Sequence, residues 1–320
     1  LIVPVYLLLV RIDLNLTRFL MAGVVLSGPV YMLIELLKQY NYPGSVGSGE
    51  YHQIIFVDEA MLNAMLILAL LVTKKFSVFT LMLLSVSMYC AIFSSILSSA
   101  WGAWLAAPFL IVMLAWYAVK TRSIRIRGIY IIIAIVLAMI ALSPVRDLIA
   151  TRSIEAVNEV KMFSSGEGAG TSVGGRLALW DVAIKVWKEN PVLGTGAGDY
   201  NDDLVDYQSQ GLYPEVYVHD SVHNIYLQAL ASTGIVGLLV FILVFIVFPL
   251  LFLKRVKHGG VELERLSGLV LIVSVLIFGL TESWTLRSPF IAIYVIYLVV
   301  IFSQAGKGLR DVKQLPVSGN

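Results

Sequence analysis

The feature that most constrains this chain is a succession of apolar runs, roughly 1–10, 19–37, 60–73, 76–98, 102–119, 128–144, 234–253, 266–281 and 289–303. A helix needs about 20 apolar residues to cross the hydrocarbon of a bilayer, and backbone in lipid must satisfy its own N–H and C=O groups. Runs of this kind therefore fold as membrane helices, and nine crossings or part-crossings result, the shorter ones tilted or set in a thin bilayer. The run 1–10 is too short to span and reads as the end of a helix that begins earlier in a longer chain. It has neither the basic flank nor the small-residue cleavage site of a signal peptide.

Composition agrees. The chain is 58% apolar and only 14% charged, with a mean hydropathy of +0.85, whereas a soluble domain carries about a quarter charged residues. The expected fold class is an all-α polytopic membrane protein. A net charge of +2 with no basic stripe excludes a nucleic-acid partner. The single Cys90 allows no internal disulfide and no CxxC metal site.

Three segments follow: an N-terminal transmembrane bundle over 1–144 with its first helices missing, a polar loop with helices over 145–233, and C-terminal transmembrane helices with a tail over 234–320. If the runs alternate in direction, one side collects Arg11 and Arg18, Lys74 and Lys75, Lys120 to Arg127, Lys254 to Lys257, Arg265, and Lys307 to Lys313. Short basic loops lie in the cytoplasm. The loop 145–233 then faces the periplasm or the exterior, where no nucleotide sugar is available.

That loop is patterned. Leu177, Trp180, Ile184 and Trp187 repeat as one helical face, which Asn190-Pro191 ends. Arg176 follows Gly174-Gly175 and is expected in the first turn, where an anion meets both its guanidinium and free backbone N–H groups. Gly194, Gly196 and Gly198 form GTGAG without the preceding strand or the GxGxxG spacing of a dinucleotide site, so they read as a tight turn. Asp199, Asp202, Asp203 and Asp206 read as solvated acids more readily than as a cation site.

His219 and His223 are four apart, but no HExxH glutamate lies between them, so no metal site is expected. A neutral His223, where the loop returns to the membrane, can instead accept a proton from a sugar hydroxyl of a lipid-linked substrate. Asn224 can orient a hydroxyl or cap the next helix. Glu282 and Arg287, in GLTESWTLRSP, and with less weight Glu35, are ionisable groups at membrane boundaries and join the site as candidates. Trp101 and Trp104 stand in the outer turn SSAWGAW, where interface aromatics collect.

GGRLALWDVA, then NPVLGTGAG, then VHNIYLQALASTGIVGLLVF, in that order within one large outer loop, resembles the O-antigen ligase family and its relatives, the O-antigen polymerases and bacterial protein O-oligosaccharyltransferases. The likeness runs from Ala91 to about Pro289. It implies about twelve spans, hence roughly three helices before Leu1, in a helical bundle of the kind used by lipid-linked-sugar (GT-C-type) glycosyltransferases. It further implies that a polysaccharide is moved from undecaprenyl pyrophosphate onto a sugar hydroxyl of lipid A-core, at the periplasmic face of a bacterial inner membrane, with neither metal nor other cofactor. Arg176 would bind the pyrophosphate and His223 would act on the acceptor hydroxyl. Asn224, Arg287, Glu282 and Trp101 would contact substrate.

One position departs from the family. Where it usually has an arginine facing the pyrophosphate, this chain reads Ala100-Trp101-Gly102, and an indole offers only one N–H. Either another cation, such as Arg287 or Arg146, takes its place, or the substitution weakens the protein. Polymerase and protein-glycosylation readings differ from ligation in the acceptor. A transporter of lipid-linked sugars needs a polar path, and the apolar runs hold almost no ionisable residue except Glu35. A non-catalytic scaffold would present the loop to a partner protein, and it predicts that His223 is dispensable.

Overall fold

The computed structural model describes residues 15–42, 52–98, 100–120, 145–168, 170–196, 198, 200–210, 221–255 and 261–314. Among them the regular elements are helices: α1 (Leu16–Asn41), α2 (Gln53–Thr73), α3 (Val78–Leu97), α4 (Ala106–Lys120), α5 (Val145–Ser164), α6 (Ser172–Glu189), α7 (Tyr200–Ser209), α8 (Ile225–Ile242), α9 (Phe248–Arg255), α10 (Glu262–Phe278) and α11 (Ser288–Gln314). The chain divides into two compact units. One comprises Leu1–Val136, Val247–Phe278 and Ser288–Asn320, the other Leu137–Ile246 and Gly279–Arg287.

The first unit is organised around α2, which is buried along nearly its whole length. Helices α1, α3, α4 and α10 pack around it. In α1, Pro29 has no N–H for the carbonyl one turn back. The neighbouring carbonyl of Val24 accepts from Asn63 Nδ2 at 2.8 Å and from Ser27 Oγ at 3.0 Å, so polar groups of two helices meet away from lipid. At Gly28 a Cβ would run into the Ser87 backbone, and this small residue lets α1 and α3 cross closely.

Two expectations need correction here. The run at 60–73 belongs to a helix that begins at Gln53, so Asp58 and Glu59, placed by sequence in a loop, lie inside α2 and are buried (0% and 5% exposed). The claim that the spans hold almost no ionisable residue therefore fails. Glu35, buried in α1, takes its partners locally, with Lys38 Nζ at 3.7 Å and Gln39 Nε2 at 3.3 Å. The runs at 1–10 and 128–144 lie outside the described residues.

The second unit is a smaller helical layer. Ala178, Leu179, Val182, Ala183 and Val186 of α6 meet Tyr200 and Leu204 of α7 and Val222 and Ala231 at α8. The expected face of Leu177, Trp180, Ile184 and Trp187 is only half-buried. The fully buried stripe is the adjacent one, because Ala178 and Ala183 admit a close approach that tryptophan does not. Both indoles sit at its margin and donate to backbone, Trp180 to Val222 O and Trp187 to Pro191 O, each at 3.2 Å.

Helix α8 continues through one wide turn (Leu243–Val247) into α9, giving a 31-residue apolar run. Its backbone breaks at Gly234 (φ +63°, ψ −165°). A break strands carbonyls before it and amides after it. The NPVLGTG turn takes up both: Thr195 and Gly196 donate to the carbonyls of Ala231 and Ser232, while Ile235 and Val236 donate to those of Pro191 and Val192, at 3.0–3.3 Å. The glycine motif is thus a turn, and its amides bind a helix.

Six helices are long and apolar enough to cross a membrane among the described residues: Leu16–Asn41, Gln53–Thr73, Val78–Leu97, Gly102–Lys120, Ile225–Arg255 and Pro289–Gly306. The run at 266–281 appears as α10, 17 residues long, with most of its residues buried. The chain is an all-α polytopic membrane protein.

Candidate functional site

The site is built where α8 begins. Asn224 is extended (φ −159°, ψ 110°), and its Oδ1 accepts from the amides of Tyr226 and Leu227 at 3.0 and 3.1 Å. Asparagine is among the best N-caps because its short side chain satisfies amides that the helix leaves open. Of the two roles expected for Asn224, this is the capping one. Its Nδ2 donates to Leu280 O at 3.4 Å, and Ile225 N donates to Gly279 O at 2.8 Å. The segment 279–287 is thereby strapped across the head of α8.

Trp284 holds the other end of that strap. It is fully buried, and its ring lies 5.8 Å from Phe241 and 5.5 Å from Phe245. Aromatic packing of this kind fixes a short turn that has little regular structure of its own. The strap carries Glu282 to His223, where Oε2 lies 3.0 Å from Nδ1. Glu282 has no exposed surface. Its Oε1 accepts from Ser283 N at 2.8 Å and faces Arg287 Nε at 3.6 Å, and Arg287 Nη2 reaches Ser221 Oγ at 3.5 Å. Glu282, expected to touch substrate, is engaged by protein on both oxygens, and Arg287, offered as a substitute phosphate cation, serves this cluster.

His223 itself is unusual. Among the described residues outside glycine, it is the one with left-handed backbone, φ +52°. That conformation costs a non-glycine residue roughly 1–3 kcal/mol, so it persists only where its surroundings over-determine it. Here they do. The preceding Val222 gives its amide to Gln228 Oε1 at 3.0 Å and takes Trp180 Nε1 on its carbonyl, while Asn224 is locked as the cap. The result holds the His223 ring against Glu282, 8% exposed.

Arg176 is placed differently from expectation. Helix α6 starts at Ser172 with Thr171 as its cap, so Arg176 opens the second turn. Two first-turn amides have partners already: Thr171 Oγ1 accepts from Gly174 at 3.1 Å, and the Glu159 carboxylate accepts from Val173 at 2.7 Å. Glu159 thus occupies the anion position of the helix terminus. What remains is the guanidinium. Arg176 stands one turn before Trp180, roughly 6 Å along the axis and on the same face. Trp180 in turn contacts the carbonyl just before His223. Trp180, one turn on from the half-buried Arg176, thus ties α6 to the segment that carries His223.

Other candidates fall elsewhere. Asp203 Oδ2 accepts from Thr195 Oγ1 at 2.7 Å, and Asp206 Oδ2 accepts from Gln210 at 2.8 Å, so these acids brace α7 and its approach. Asp199 and His219 lie outside the described residues, as does the Arg146 side chain. Trp101, at the start of the turn Gly102–Leu105 in the first unit, has its ring 6.0 Å from that of Trp104, and both indole N–H groups are buried without a hydrogen-bond acceptor. Sequence reasoning missed Trp284, the bond from Trp180 to Val222, and the pairing of His223 with Glu282. The aromatic in the middle of the polar SWTLRSP turn was the available signal for the first.

The sequence is similar to known proteins. The family described as O-antigen ligase covers residues 85–242. An uncharacterized protein of Haemophilus influenzae is 26% identical over 203 residues, 62% of this chain and 51% of that protein. The chain thus spans about half the length of this curated relative. Members of the matched family are glycosyltransferase-like enzymes, ligases and polymerases among them. Residues 85–242 of this multi-pass membrane protein, which hold Arg176, His223 and Asn224, are thus similar to the O-antigen ligase family.

Proposed function

We propose that this protein is an O-antigen ligase, acting at the periplasmic face of a bacterial inner membrane. It transfers a polysaccharide from undecaprenyl pyrophosphate to a sugar hydroxyl of lipid A-core. His223 Nε2 takes the hydroxyl proton as the acceptor oxygen bonds to the anomeric carbon. The bond from that carbon to the pyrophosphate oxygen breaks, and undecaprenyl pyrophosphate leaves with the electron pair. Arg176 lies against the pyrophosphate and stabilises the charge that develops there. A positioned base contributes typically about 10²–10⁴-fold and a fixed donor at the leaving group a comparable factor, so these two groups supply a working minimum. No metal is required by this scheme.

The observation that carries the reading is the held, left-handed His223 at the head of the apolar helix α8, within the stretch that matches the family. A histidine kept in a costly conformation beside the mouth of a span is placed to act on a lipid-linked substrate. The test is transfer in vitro: purified protein, undecaprenyl-pyrophosphate glycan and lipid A-core, scored by the mass of the acceptor. A gain of one polysaccharide on lipid A-core supports ligation. Growth of the donor's own chain with unmodified lipid A-core would assign polymerisation instead.

A further inference from the structure

We propose that Glu282 is a positioning residue for His223, setting its tautomer so that Nε2 carries the lone pair, with Arg287 clamping the carboxylate in place. This rests on the reading of His223 as the base. The argument begins with Glu282's lack of exposed surface: it cannot meet a glycan. An ionised carboxylate only accepts hydrogen bonds, so at 3.0 Å the His223 Nδ1 must be the donor. A neutral imidazole with its proton on Nδ1 has its acceptor site on Nε2.

The second oxygen fixes the direction. Ser283 N at 2.8 Å and the Arg287 guanidinium at 3.6 Å hold Oε1, which leaves Oε2 aimed at the ring. Arg287 also reaches back to Ser221, two residues before His223, and so ties the strap to the segment bearing the base. When His223 takes the acceptor proton it becomes an imidazolium, and the carboxylate beside it in a water-poor site stabilises that cation more than bulk water could. Glu282 then acts twice, by orientation before transfer and by charge during it.

The experiment compares purified full-length E282Q, E282D and H223A with wild type, measuring kcat and KM for both substrates, alongside nitrogen-15 spectra of labelled histidines in detergent, assigned by the signal lost in H223A. In the wild type His223 shows Nδ1–H. In E282Q the glutamine amide donates to Nδ1, the ring switches to Nε2–H, and kcat falls about 10²–10⁴-fold while KM stays within about twofold. E282D keeps the Nδ1–H tautomer and recovers part of the rate. A KM increase with unchanged kcat in E282Q would make Glu282 a substrate contact and overturn the proposal, as would a kcat within a few-fold of wild type. If E282Q does not fold, the wild-type spectrum still decides, since Nε2–H at His223 contradicts the proposal. Full transfer by H223A would instead remove His223 from the mechanism, a failure of the base reading that the kinetics of E282Q alone would not produce.

Discussion

Thr195 donates its amide to the carbonyl of Ala231 at 3.0 Å, and with that bond a glycine-rich turn becomes part of the neighbouring helix. The turn fits because Gly194 and Gly234 both adopt positive φ, +71° and +63°. At Gly194 a Cβ would meet the Ser232–Thr233 peptide, and at Gly234 the backbone of Val192. Each contact is with backbone that cannot swing aside.

Gly194→Ala and Gly234→Ala should therefore each lower the midpoint of thermal unfolding in detergent, at a cost of at least about 1–3 kcal/mol from the backbone alone. Gly23→Ala, where a Cβ meets nothing within 4 Å, serves as the control and should leave the midpoint in place. Equal midpoints for all three would mean that the turn does not close the break in α8.

Asn224→Ala should cost about 0.5–2 kcal/mol by removing a helix cap. It should also slow transfer, since the cap fixes the backbone next to His223. Asn224→Asp keeps an acceptor for Tyr226 and Leu227 and should retain most of the stability. Thermal unfolding together with the transfer rate checks both statements. A stable but inactive Asn224→Ala would point to direct contact with substrate instead.

Trp284→Ala should be the most damaging change in the strap. Emptying a buried aromatic site costs about 3–5 kcal/mol, and here it also frees the segment that carries Glu282. Limited proteolysis should show new cleavage within 279–287, and Trp284→Phe should restore much of the protection. An unchanged digestion pattern in Trp284→Ala would show that the strap is held by other means.

Much of this architecture was legible in the chain. Helices α1, α3 and α4 lie within a few residues of their apolar runs, and α11 starts with its run but continues well past it to Gln314, because hydrocarbon demands length and hydropathy and little else. The apolar run marks α2 only from residue 60, since Asp58 and Glu59 look like loop residues, whereas in the helix both are buried. Helix α8 starts well before its run at 234–253, with Gln228 and Ser232 satisfied inside its first turns at 3.1 Å. Arg176 was read as the start of a helix, although the true cap, Thr171, stands five residues earlier. Arg176, His223, Asn224, Glu282 and Arg287 stand out as candidates in the chain itself. That Glu282 faces His223 across 59 residues of chain was not legible, because no local pattern encodes a contact between a loop and a distant strap.

The acids of α7 suggest a simple exclusion test. Asp203 and Asp206 are hydrogen-bonded to Thr195 and Gln210, so chelator should leave the transfer rate unchanged. Inhibition by chelator that added magnesium reverses would restore these aspartates as a cation site.

The central claim is tested most directly by transfer of glycan from undecaprenyl pyrophosphate to lipid A-core with purified wild type, Arg176→Ala and His223→Ala, each verified as folded by its thermal midpoint. The account predicts transfer by the wild type and a loss of about 10²-fold or more in each variant. Wild-type rates in a folded His223→Ala would contradict it.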